Sequence, residues 1–290
     1  MRLRVWICFG VALGSLGVAL RCDRARRSAA ARSLVLESRA VVRPWLDIAA
    51  LGNARVVVAS KMTDPLEAVR VQTGDGEYDL VLVRAVKSLQ ILDRDAASVH
   101  FGNALALRKY EEARGKHLLM AMNGGMFHAS REPVGLLTSA GAERATLTLG
   151  DGEGNFFMLP NGVFSVTARQ FRVTESTRFA AAQAAPSAET PLFATQSGPL
   201  LLQGGLEHAG FFRDSPHRLI RNGVGVNGQG QALFVISNTP VSFHELAHVL
   251  SALGFVDALY LDGTVSMLYL PELGRTDPGS DLGPLIAVTD

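Results

Sequence analysis

The alternation of apolar and polar positions along the chain predicts ten short strands: Arg55–Ser60, Tyr78–Arg84, Ser88–Leu92, His117–Met122, Asn155–Leu159, Gly162–Val166, Phe193–Gln196, Gly223–Val226, Ala232–Ser237 and Ala258–Leu261. Each is rich in branched or aromatic residues and bounded by Gly, Asn, Asp or Pro. Helical spacing covers Ala104–Gly115, Thr177–Ala184 before Pro186, and Phe243–Leu253, with Gly254 placed to end the last of these. Many strands with few helices predict an α/β (α+β) fold: a mixed, largely antiparallel multi-stranded sheet with flanking helices, in a single domain.

Ahead of this region the pattern changes. Residues 5–20 are apolar and follow Arg2 and Arg4, as in a signal sequence or a short anchor below the roughly 20 residues of a full span. Arg21, Arg24, Arg26 and Arg27 come next and disfavour a clean cleavage site, which favours an uncleaved anchor; arginines on both flanks leave its orientation open. Arg21 also stands where a lipidation signal at Cys22 needs a small residue. The expected organisation is a signal or anchor over 1–27, a tether over 28–53 and the main domain over 54–290, exported to the periplasm or tethered at a membrane.

Composition sharpens this picture in two places. Nine arginines lie before Pro44 against Asp23 and Glu37, leaving 19 basic and 25 acidic residues in the remainder. A mildly acidic body lacks the electrostatic footprint of a nucleic-acid partner. Both cysteines, Cys8 and Cys22, lie in the N-terminal part, so the main domain has no thiol nucleophile, thiolate metal site or internal disulfide.

The string His244-Glu245-Leu246-Ala247-His248 on a predicted helix has the spacing of a zinc peptidase. A third ligand is missing: Gly254 stands where one pattern needs His, and Glu272 follows a strand rather than sitting on a helix. The same residues have a structural reading. Ser242 and Glu245 form a capping box, Val241 and Leu246 a hydrophobic staple, and Phe243, Leu246, Ala247, Leu250 and Leu253 one apolar stripe.

Four strand ends carry glycine beside a polar residue: Asn123-Gly124-Gly125, Ser197-Gly198, Arg221-Asn222-Gly223 and Asp262-Gly263. Any one of them reads as an ordinary turn. As a set they suit a charged ester: Arg221 to grip a phosphate bidentately, backbone N–H groups of Gly124 and Gly125 as an anion nest, and Asp262 as acid, base or metal ligand.

These clusters resemble the phosphodiester glycosidase family. The resemblance is carried by Ala121 to Phe127, Pro133 to Leu136, Gly154 to Phe157, Pro160 to Phe164, Gln196 to Pro199, Arg221 to Gly225, Phe243 to Ala247 and Ala258 to Ser266, and covers roughly residues 55–275. It is strongest to an uncharacterised bacterial branch, often secreted or membrane-tethered. It implies hydrolysis of a sugar from a sugar–phosphate diester or cell-envelope glycoconjugate. Asn123, Arg221 and Asp262 map onto the family's polar site, with Glu245, Ser197 and Ser266 as further candidates. Asp262 or Glu245 would be the general acid–base, Asn123 would orient the substrate, and Gly198, Asn222 and Gly263 would line the site. No cofactor is fixed by the resemblance; a divalent cation such as Ca²⁺ at Asp262 is the one it suggests. The chain departs from better-known members at Thr264-Val265, where they carry glycines, which points to a different diester. Two other readings remain open here: a non-catalytic domain binding envelope glycans, and the zinc peptidase.

Overall fold

The computed structural model describes residues 46–61 and 64–290; the anchor and most of the tether lie outside the described residues. Three sheets carry the fold, and every strand pair in them is antiparallel. The eight-stranded sheet runs in the order Arg55–Ala59, Leu66–Gln72, Glu77–Val83, Ala232–Ser237, Asn222–Asn227, Phe255–Tyr260, Leu200–Gln203, Leu206–Glu207. The five-stranded sheet is Ala142–Ala145, Leu137–Ser139, Phe193–Ser197, Gly162–Val166, Phe171–Glu175, and the four-stranded sheet is Leu268–Tyr269, Leu118–Asn123, Leu285–Thr289, Leu89–Leu92.

One apolar cluster joins the inner faces of all three sheets. Val81, Phe234 and Leu259 come from the first, Phe164 and Phe171 from the second, and Met122 and Ile286 from the third. Phe164 meets Phe234 edge-on at 5.7 Å and stacks on Phe171 at 6.1 Å. Burying rings of this size stabilises the fold by roughly 1.5–3 kcal/mol each. Two carboxylates buried inside this frame are paired with arginines, which offsets the cost of burying charge. Asp79 accepts from Arg70 at 2.6 and 2.9 Å and from Arg275 at 3.0 Å, and Glu67 meets Arg84 at 2.8 Å.

Among the described residues three helices flank the sheets, as the sequence predicts. Ala104–Glu112 (α1) packs on Leu118–Asn123, and Ser176–Gln183 (α2) on Gly162–Val166 and Phe171–Glu175. Phe243–Ala252 (α3) rests on Phe255–Tyr260, Leu200–Gln203 and Asn222–Asn227. Gly225 makes room there for Leu250, whose Cδ2 lies 2.9 Å from where a Cβ would sit. The α3 capping box forms as expected, and Gly254 ends the helix at φ +84°.

Two expectations need correction. Asn155–Leu159 is not a strand: Asn155–Phe157 forms a 3-10 turn, and Asn161 Nδ2 donates to Phe156 O at 3.1 Å, so a side chain replaces a ladder partner. Leu46 and Ile48 are buried, and the turn Ile48–Leu51 contacts α3, so the end of the segment read as a tether belongs to the fold.

Candidate active site

The four glycine-polar clusters meet where the eight- and four-stranded sheets come together. Leu118–Asn123 ends at Asn123, Asn222–Asn227 begins at Asn222, and the chain leaves Phe255–Tyr260 toward Asp262. Asn123 Oδ1 accepts from Asn222 Nδ2 and from Met267 N, both at 2.8 Å. Asn222 Oδ1 accepts from Asp262 N at 3.2 Å. The Asp262 carbonyl accepts from Ser266 Oγ at 2.8 Å and from Asn123 Nδ2 at 3.4 Å. Ser197 Oγ donates to Leu261 O, one residue upstream. Polar side chains from three separate strand ends thus fix the backbone on which Asp262 is carried, and all of them except Ser266 are fully buried.

The Asp262 carboxylate is treated differently. Its Oδ1 accepts from Thr264 N at 2.9 Å, and it makes no ion pair among the described residues. At 8% exposure, burial raises its pKa above the ordinary aspartate value, and the Thr264 N–H offsets part of that rise. Asp262 lines a cavity of about 620 Å³ walled by Phe127, Phe156 and Phe157, with Asn155, His128 and Glu153 at its exposed rim. Apolar walls around a few polar groups are the usual make-up of a small-molecule site.

The glycines serve close packing. A Cβ at Gly125 would lie 2.0 Å from Gln196 O, one at Gly198 2.6 Å from Phe156 O, and one at Gly263 1.7 Å from Tyr260 Oη. The expected anion nest is not available. Gly124 N donates to Pro284 O at 2.7 Å, and Gly125 N to Thr195 Oγ1 at 3.0 Å.

Arg221 also differs from expectation. It is 2% exposed and points away from Asn123, because neighbouring residues of an extended chain face opposite sides. Its Nε donates to Val241 O at 2.9 Å, one terminal nitrogen to His217 O at 3.1 Å and the other to Tyr260 Oη at 3.4 Å. Phe243 covers its guanidinium at 3.8 Å. Burial lowers its pKa from the ordinary arginine value and pushes the Tyr260 phenol up to about 12. Arg221 braces Tyr260, which in turn backs Gly263.

Glu245 and Asp262 line different cavities. Its Oε2 accepts from Ser242 N at 2.7 Å and its Oε1 from Arg218 at 2.8 Å, and it lines a second cavity with His244, His248, Arg213 and Asp214. His244 Nδ1 sits 2.7 Å from Glu207 Oε1. Among the described residues no group of three or more His, Cys, Asp or Glu side chains is placed to hold a metal ion. Among the described residues the His-Glu-x-x-His string therefore has no third side chain of these types placed to complete a zinc site. Sequence reasoning missed the cavity walls: Phe127 and Glu153 sit in loops, and the segment of Phe157, read as a strand, is a 3-10 turn that turns its ring to the cavity.

A model of the phosphodiester glycosidase family matches residues 116–283. The uncharacterised protein YigE of Escherichia coli K12 is 36% identical over 152 residues, which is 52% of this chain and 58% of that relative's own length. The fold resembles the catalytic domain of zebrafish N-acetylglucosamine-1-phosphodiester α-N-acetylglucosaminidase, auto-inhibited by its pro-peptide: TM-score 0.55, 14% identity, 81% of this chain and 87% of that one. It also resembles a hypothetical protein from Synechocystis, with TM-score 0.51, 16% identity, 81% of this chain and 64% of that one. With more than half of its length matched, across every cluster that converges on Asp262, the chain belongs to the phosphodiester glycosidase family.

Proposed function

We propose that the protein hydrolyses a sugar–phosphate diester at the sugar carbon, with Asp262 as the general acid. The observation that carries this reading is the contrast within one residue. The Asp262 backbone is locked by Asn123, Asn222 and Ser266, while its carboxyl is left unpaired at an aromatic-walled cavity. A buried carboxyl with a raised pKa holds its proton at higher pH than a solvated one, which suits protonation of a leaving oxygen. The bond between the sugar C1 and the phosphate oxygen breaks, the proton goes to that oxygen, and water adds to C1. The products are a reducing sugar and a phosphate monoester. Glycosidic cleavage uses two carboxylates. Glu153, in the same cavity wall, takes the second role in place of Glu245. The zebrafish protein's name supports sugar–phosphate diesters as the substrate class.

Export belongs to the same reading. Residues 5–20 would deliver the domain to the periplasm or tether it at a membrane, where envelope glycoconjugates are the natural diesters. Among the described residues no helix is long and apolar enough to cross a membrane. The test is a panel of sugar–phosphate diesters with wild type and Asp262→Asn, with and without chelator. Release of reducing sugar by wild type and its loss in the variant are expected. Binding without turnover on every diester would favour a glycan-binding domain instead.

A further inference from the structure

We infer that His128 is the side chain that contacts the substrate's phosphate; this rests on the diester reading above. A phosphodiester keeps one negative charge. Drawn toward a cavity whose exposed rim already holds Glu153, the carboxylate of the proposed pair, it meets like charge, so a countering group is needed. Of the side chains that wall this cavity, His128 alone can carry positive charge.

The groups that the sequence offered for this task are committed elsewhere. The N–H groups of Gly124 and Gly125 donate to Pro284 O and Thr195 Oγ1. Arg221 is buried behind Gly263, with each nitrogen bonded inside the protein and its face covered by Phe243. The arginines linked to this turn, Arg131 within it and Arg94 through Glu132, are also paired: Arg131 with Asp281, and Arg94 with Asp93 and Glu132.

His128 itself is presented for contact. Its N–H donates to Glu132 O at 2.8 Å and its carbonyl accepts from Arg131 N at 2.7 Å, which closes a turn and fixes the backbone. Its ring is exposed and makes no hydrogen bond or ion pair among the described residues. An imidazole N–H donates to a phosphate oxygen in either protonation state, and the imidazolium adds charge. The exposures order the cavity: Asp262 and Phe156 lie deep, Phe127 and Phe157 half-buried, and His128 and Glu153 at the rim. The sugar would sit against the rings, with the phosphate outward at His128.

The test is equilibrium binding of dimethyl phosphate and inorganic phosphate, followed by ³¹P NMR, to wild type, His128→Ala, His128→Arg and His244→Ala. Wild type is expected to bind both probes. His128→Ala should weaken both at least tenfold, His128→Arg should restore most of the loss, and His244→Ala, at the other cavity, should bind as wild type does. Wild-type binding unchanged in His128→Ala, or no phosphate binding by wild type, overturns the assignment. Thermal unfolding of His128→Ala should match wild type, since the ring has no partner to lose. The outcome is independent of turnover. A protein that binds phosphate through His128 yet cleaves no diester keeps this inference and rejects the hydrolase. A protein that cleaves diesters equally well without His128 does the reverse.

Discussion

Asn222 Nδ2 donates to Asn123 Oδ1 at 2.8 Å, tying the eight-stranded sheet to the four-stranded sheet beneath the backbone of Asp262. Asn123 Oδ1 also accepts from Met267 N, so Asn123→Ala leaves two buried donors without a partner. Each costs about 1–3 kcal/mol. Asn222→Ala should also destabilise, and the double variant should cost less than the two single losses added together, because the residues share one network. Urea denaturation of the three variants checks this; strictly additive losses would contradict the coupling.

Asp262 should limit stability as well as supply chemistry. Burial raises its folded-state pKa above the unfolded value. Such a carboxyl costs nothing below its unfolded pKa and destabilises the fold as pH rises through the folded value and the charge is forced into the site. Asp262→Asn should therefore melt higher than wild type at neutral pH, with the gap closing as pH falls into the ordinary carboxylate range. The Asn Oδ1 can still accept from Thr264 N. Thermal unfolding across pH measures it, and a variant less stable than wild type at neutral pH would count against the burial argument.

The packing of Gly263 on Tyr260 gives a rescue experiment. A Cβ at residue 263 would lie 1.7 Å from Tyr260 Oη and 3.0 Å from Cζ. Gly263→Ala should lose at least the roughly 1–3 kcal/mol typical of overpacking. Tyr260→Phe removes the clashing oxygen, so the double variant should recover part of the loss. Recovery stays partial because Cζ remains close and Arg221 loses a partner.

The His-Glu-x-x-His string should behave as a capped helix. Ser242→Ala should cost about 0.5–2 kcal/mol, the usual value of an N-cap. His244→Ala should leave diester turnover unchanged. Stoichiometric zinc in the purified protein that disappears in His244→Ala would contradict this.

The strands that the sequence revealed are those whose periodicity ends in a turn residue, such as Gly162–Val166 and Ala232–Ser237. Leu285–Thr289 went unpredicted although it is no more fully buried than those two strands. Leu66–Gln72 was hidden by Glu67 and Arg70, whose charges are answered by Arg84 and Asp79 elsewhere in the chain. At the site, glycine beside a polar residue marked Asn123, Asn222, Ser197 and Asp262 correctly as meeting points. The direction of Arg221 was not legible, since one step along an extended chain reverses the face. Nor was it legible that Glu153 lines the cavity of Asp262 while Glu245 lines another, because only the fold sets which carboxylates share a cavity. Residues 5–20 lie outside the described residues.

Cleavage at the sugar carbon is the centre of this account, and isotope placement tests it most directly. A diester cleaved by the protein in ¹⁸O-labelled water should yield sugar carrying the label at C1 and phosphate monoester carrying none, with the reaction abolished in Asp262→Asn. Label in the phosphate would mean that water attacks phosphorus, and would contradict the proposed chemistry.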